Sequence, residues 1–77
     1  AYVSPSASIG PGTIVEAQAI VNTGAVVQDG CIIDAGAIVD HDTCIGKGSH
    51  INCGTIVKAG SVVAEFVKTE SGQILSD

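Results

Sequence analysis

A chain of 77 residues with a formal net charge of −5 and 3% aromatic residues has room for one domain, and as a compact globule it would have a thin core. The acidic balance argues against a nucleic-acid backbone or an anionic membrane as the main partner. Its apolar runs are too short to span a bilayer, and no charged-then-apolar leader opens it, so a cytoplasmic location is expected.

The 45% hydrophobic content is mostly Val, Ile and Ala, and β-branched residues favour strands. In chain order an aliphatic residue recurs at every sixth position: Val3, Ile9, Val15, Val21, Val27, Ile33, Val39, Ile45, Ile51, Val57 and Val63. Four residues after each stands a mostly small one, from Ala7 and Thr13 to Thr55 and Ser61, with Val67 the exception. Three residues after each, glycine appears at 12, 24, 30, 36, 48, 54 and 60.

Side chains two apart on a strand share a face. Each six-residue unit therefore turns one small and one large side chain inward, and the glycine marks a corner that needs positive φ. Three corners close a triangular coil of eighteen residues, and successive coils stack as parallel strands roughly 4.8 Å apart. Residues 3–67 make about three and a half such coils. The fold class expected is all-β, a parallel β-helix, with 68–77 leaving the repeat as a C-terminal cap or tail. Helical apolar spacing would be three and four rather than a strict six.

The residue before each inward aliphatic points outward. Tyr2, Ile14, Ile20, Val26, Ile32, Ile38, Ile56 and Val62 make eight of the eleven positions in that column large and apolar or aromatic, and contiguous apolar stripes of this kind mark an interaction surface. An oligomer is expected, with coils packed side by side through these residues. Corner positions carry one histidine, His41, and Asp42 follows it where glycine dominates elsewhere. A departure from a regular pattern at a chemically capable residue marks a candidate site.

The hexad pattern resembles that of the hexapeptide-repeat acyltransferases. Val3-Ser4-Pro5-Ser6-Ala7-Ser8-Ile9-Gly10, and Val39-Asp40-His41-Asp42-Thr43-Cys44-Ile45-Gly46 followed by Ser49-His50-Ile51, resemble the opening and the active-site stretch of the sialic acid O-acetyltransferase and bacillosamine-type sugar N-acetyltransferase group. The resemblance implies a left-handed β-helix and a homotrimer. It also implies direct transfer of acetyl from acetyl-CoA to a sugar or sugar-nucleotide amine or hydroxyl.

In that chemistry neutral His41 is the general base, and an unperturbed imidazole titrates near about 6.5, which suits the task. Asp42, or secondarily Asp40, orients the ring and stabilises the imidazolium. One coil along from His41 lie Ala59 and Gly60, where a backbone N–H can receive the developing oxyanion of the thioester. The family's matching histidine implies that His50 reaches acceptor or coenzyme at a subunit boundary. The family also tends to place a polar substrate contact at the position of Asp34. Asp40 is a further substrate contact, set against a simple solvated ladder with Asn22 and Lys58.

No metal is expected. A γ-class carbonic anhydrase needs three histidines around zinc and the chain has two. Cys31, Cys44 and Cys53 form no C-x-x-C pair and suggest no zinc or disulfide framework. An ice-binding β-helix would present outward threonine rows, whereas Thr13, Thr43 and Thr55 face inward. The other function class is a non-catalytic trimeric β-helix module, or an isolated C-terminal fragment, that serves assembly.

Overall fold

In a computed structural model, which describes residues 1–76, the six-residue rhythm becomes a series of two-residue strands joined by tight corners. Each β-branched pair supplies one inward and one outward side chain. The next four residues turn the chain through a corner before the pattern repeats.

The strands sort into three parallel sheets, one per side of the coil. The first side carries β1 (Tyr2–Val3), β4 (Ile20–Val21), β7 (Ile38–Val39), β10 (Ile56–Val57) and β12 (Ile74–Leu75). The second carries β2 (Ser8–Ile9), β5 (Val26–Val27), β8 (Cys44–Ile45) and β11 (Val62–Val63). The third carries β3 (Ile14–Val15), β6 (Ile32–Ile33) and β9 (His50–Ile51), and Lys68 bridges onto His50. Every register pairs a residue with the one eighteen further on, as in Val21 with Val39 and Val39 with Val57. The result is a left-handed parallel β-helix of about four turns.

The core is the inward column. Val21, Ile33, Val39, Ile45, Ile51 and Val57 are fully buried, interleaved with Ala19, Ala25, Cys31 and Ala37. Further along, the small column turns polar, and the buried hydroxyls of Thr43, Ser49 and Thr55 find carbonyl acceptors, as buried polar groups must. Thr43 Oγ1 donates to the Asp40 carbonyl at 3.0 Å, and Ser49 Oγ donates to the Ala64 carbonyl at 2.9 Å. The outward column behaves as the alternation requires. Tyr2, Ile14, Val26, Ile56 and Val62 are exposed, and Ile20, Ile32 and Ile38 are half-buried.

The corners follow the glycine column. Gly12, Gly24, Gly30, Gly36, Gly48, Gly54, Gly60 and Gly72 all have φ between 66° and 76°. Gln18, Asp42 and Phe66 take the same left-handed conformation without being glycine, at 63°, 59° and 58°.

The segment expected as a cap or tail, 68–77, carries the rhythm onward through residue 76; Asp77 lies outside the described residues. Ile74 and Leu75 pair with Ile56 and Val57. Thr69 occupies the inward aliphatic position of this last unit and is buried. Its hydroxyl accepts the Asn52 N–H at 2.8 Å and bonds Thr55 Oγ1 at 3.0 Å. A threonine in place of Val or Ile, and Gln73 in place of a small residue, hide the repeat from the sequence pattern while preserving the strand. Among the described residues no helix is long and apolar enough to cross a membrane.

Candidate functional site

His41 sits at the corner between the first and second sides of the coil, just after β7 and just before β8. Its backbone is fixed on three sides. Asp40 Oδ1 accepts the His41 N–H at 2.7 Å, a local turn that aspartate forms readily, and also accepts from Asn22 Nδ2 of the preceding coil at 3.2 Å. The His41 carbonyl accepts the Gly60 N–H of the following coil at 3.1 Å. Next in the chain, the Asp42 N–H donates to the Thr23 carbonyl at 2.9 Å. Residues 23, 41 and 59 are thus vertical neighbours.

The side chains of His41 and Asp42 meet at the surface. Nδ1 of His41 lies 3.0 Å from Asp42 Oδ2, with side-chain exposures of 55% and 70%. An ionised carboxylate accepts and cannot donate, so in the neutral form of the ring this contact favours the tautomer with the proton on Nδ1 and the lone pair on Nε2. A ring oriented in this way can take a proton from a bound acceptor.

The corner one coil along divides Ala59 from Gly60. Gly60, expected with Ala59 to offer a backbone donor, gives its N–H to the His41 carbonyl. At several corners a preceding Asn or Asp side chain caps the equivalent N–H, as Asp40 does for His41 and Asn52 for Cys53. Lys58 precedes Ala59 and cannot accept a hydrogen bond. The Ala59 N–H consequently has no acceptor among the described residues.

His50 and Asp34 form a second cluster on the third side. His50 projects outward from β9, and its Nε2 lies 3.2 Å from Asp34 Oδ2, both side chains being about a quarter exposed. The Ala35 N–H donates to Asp34 Oδ1 at 2.8 Å. The Asp34 carboxyl is held below its ordinary value, first by the Ala35 N–H and then by the hydrogen bond from His50; desolvation opposes the shift, and Cys53 adds to it. Donors to the charged form favour ionisation.

One chain therefore joins His41, Asp42, Asp40, Ala59 and Gly60 at one corner, and sets His50 and Asp34 apart on another side. Cys31 is buried, Cys44 half-buried and Cys53 exposed. Among the described residues no three of His, Cys, Asp or Glu gather as metal ligands would.

No protein-family model matches the chain, and no curated protein matches it by sequence. Solved structures do. The chain is similar to the acetyltransferase domain of PglB from Neisseria gonorrhoeae FA1090, with 31% identity and a TM-score of 0.73 over 97% of this chain and 45% of that one. The same domain in complex with acetyl coenzyme A matches at 32% identity and a TM-score of 0.72, over 92% of this chain and 43% of that one. Serine acetyltransferase isoform 3 from Entamoeba histolytica, in complex with cysteine, shares the fold at 14% identity and a TM-score of 0.50, over 96% of this chain and 34% of that one. The chain spans less than half the length of these structures. Its repeat and its fold are those of the hexapeptide-repeat acyltransferases that the sequence resembles.

Proposed function

From this hexapeptide-repeat fold we propose that the chain is part of an acetyltransferase that moves acetyl from acetyl-CoA to an amine or hydroxyl of a sugar or sugar nucleotide, with His41 as general base. The observation that carries the reading is the His41–Asp42 pair. Among the described residues it leaves Nε2 without a partner at an exposed corner, in a chain about one-third identical to a domain seen with acetyl coenzyme A.

Each residue has a role in that chemistry. Nε2 of His41 accepts the proton as the acceptor nitrogen or oxygen attacks the thioester carbonyl carbon. Asp42 fixes the tautomer and stabilises the imidazolium. The Ala59 N–H stands where negative charge develops on the thioester oxygen, and Gly60 keeps that corner in register by bonding the His41 carbonyl. As the carbon–sulfur bond breaks, the imidazolium returns its proton to the departing thiolate. No step needs a nucleophilic cysteine or a metal.

Asp40 braces the His41 backbone and stands beside the base as an acceptor contact. His50 and Asp34 lie on another side of the coil, so they act on a site bounded by two chains. A homotrimer packed through the outward aliphatics would set the second cluster of one chain against the His41 corner of its neighbour. The exposed Tyr2, Ile14, Val26, Ile56 and Val62 support that assembly.

Calorimetric titration with acetyl-CoA, followed by a turnover assay with amino-sugar and hydroxy-sugar acceptors, tests the reading. Saturable heat and acetylated product are expected. A folded trimer with no heat of binding would instead identify a non-catalytic assembly module.

A further inference from the structure

Asp42 stands in the glycine column of its corner, with Gly24 one coil before it and Gly60 one coil after it. Its carboxylate has two oxygens with two destinations. Oδ2 turns to His41 Nδ1, and Oδ1 turns back over Gly24. A Cβ built on Gly24 would overlap Asp42 Oδ1 and lie 3.4 Å from its carboxyl carbon.

From this geometry we infer that Gly24 is a positioning residue for the base: its missing side chain is the space in which the Asp42 carboxylate turns to hold the His41 ring. The inference rests on His41 being the base of the proposed reaction, but the geometry itself can be tested without turnover. Positive φ alone does not account for Gly24. Gly30 has φ 66° against 70° for Gly24, yet a Cβ there would meet nothing within 4 Å. Both positions need a left-handed backbone, and only Gly24 also makes room for a working side chain. The atom displaced by a Cβ at 24 is the free end of the Asp42 carboxylate, not backbone. The carboxylate yields by rotating, which takes Oδ2 away from Nδ1. Substitution at Gly24 therefore disturbs the ring's tautomer and orientation more than it disturbs the fold.

The paired variants G24A and G30A separate the two effects, because alanine imposes the same backbone strain in each. Nitrogen chemical shifts of His41 in labelled protein read the tautomer. Wild type and G30A are expected to show the Nδ1–H form, and G24A to lose that preference. In the transfer reaction kcat falls about 2- to 5-fold in G24A, the value of an exposed charge pair expressed as a rate. KM stays near wild type, and G30A keeps wild-type kcat. In a D42G background, where no carboxylate remains to be displaced, adding G24A changes kcat no further.

An unchanged tautomer in G24A overturns the inference, and so does an equal change in G30A. A G24A chain that fails to fold where G30A folds overturns it too, since the displaced atom is one flexible oxygen. If alanine unfolds both chains, asparagine, which tolerates left-handed backbone better, repeats the comparison. A tautomer change specific to G24A in a protein without acetyl-transfer activity would leave the positioning role standing and remove the proposed reaction.

Discussion

Replacing Asp42 by glycine removes the carboxylate and gives the corner its commonest residue. Three energies compete. Asp42 holds φ 59°, and a left-handed L-residue costs about 1–2 kcal/mol, somewhat less for aspartate. Glycine relieves that but loosens the unfolded chain by about 0.4–1 kcal/mol. The lost pair with His41, at 55% and 70% exposure, is screened by solvent and contributes about 0.2–1 kcal/mol. These terms nearly cancel, so D42G should melt within about 5 °C of wild type. Asp42→Ala loses the same pair and keeps an unfavourable backbone without aspartate's local hydrogen bonding, so it should melt roughly 4–8 °C below D42G. Because only the pair touches the chemistry, kcat in both variants should fall alike, by about 2- to 5-fold. Thermal melts by circular dichroism and steady-state acetyl transfer measure the two effects. The reasoning fails if the two variants differ in kcat. It also fails if D42G alone loses the roughly 100-fold or more expected on removing a general base.

The sequence made the frame legible because every unit repeats one solution to the same problem. Val39 and Ile45 share the interior, and the glycines hold the corners, since a two-residue strand and a tight turn leave few alternatives. His41 and Asp42 stood out as exceptions within that frame. Other features depend on which coil lies next to which. The Gly60 N–H is spent on His41, and the Ala59 N–H has no acceptor among the described residues, because of hydrogen bonds nineteen residues apart and a lysine at position 58 that cannot cap. The last unit is not legible in the pattern because Thr69 replaces an aliphatic residue and satisfies its hydroxyl through Asn52 and Thr55. The separation of His50 and Asp34 from His41 follows from three-sided geometry, which puts residues nine and seven positions away on a different side.

Two further outcomes are expected. The Asp34 carboxyl is held below its ordinary value by Ala35 and His50, so its contribution to stability is full above the unfolded value of about 3.9 and is lost as pH falls through the lower folded value. Denaturant titrations between pH 6 and 2 should show an acid-side loss that D34A flattens; an unchanged slope would mean that the carboxyl is not held. At Gly46 an added Cβ would lie 2.6 Å from the Glu65 nitrogen and 2.7 Å from the Ala64 carbonyl carbon. Both are backbone atoms that cannot rotate away, so G46A should destabilise the stack by more than about 1 kcal/mol, and a melt equal to wild type would show that the two coils sit further apart.

The central claim is that the imidazole at this corner moves the proton in acetyl transfer. Steady-state turnover of His41→Ala in the assembled protein, with acetyl-CoA affinity measured alongside, tests it most directly. Intact coenzyme binding and a fall in kcat of about 10²- to 10⁴-fold are expected. Turnover close to wild type would contradict it.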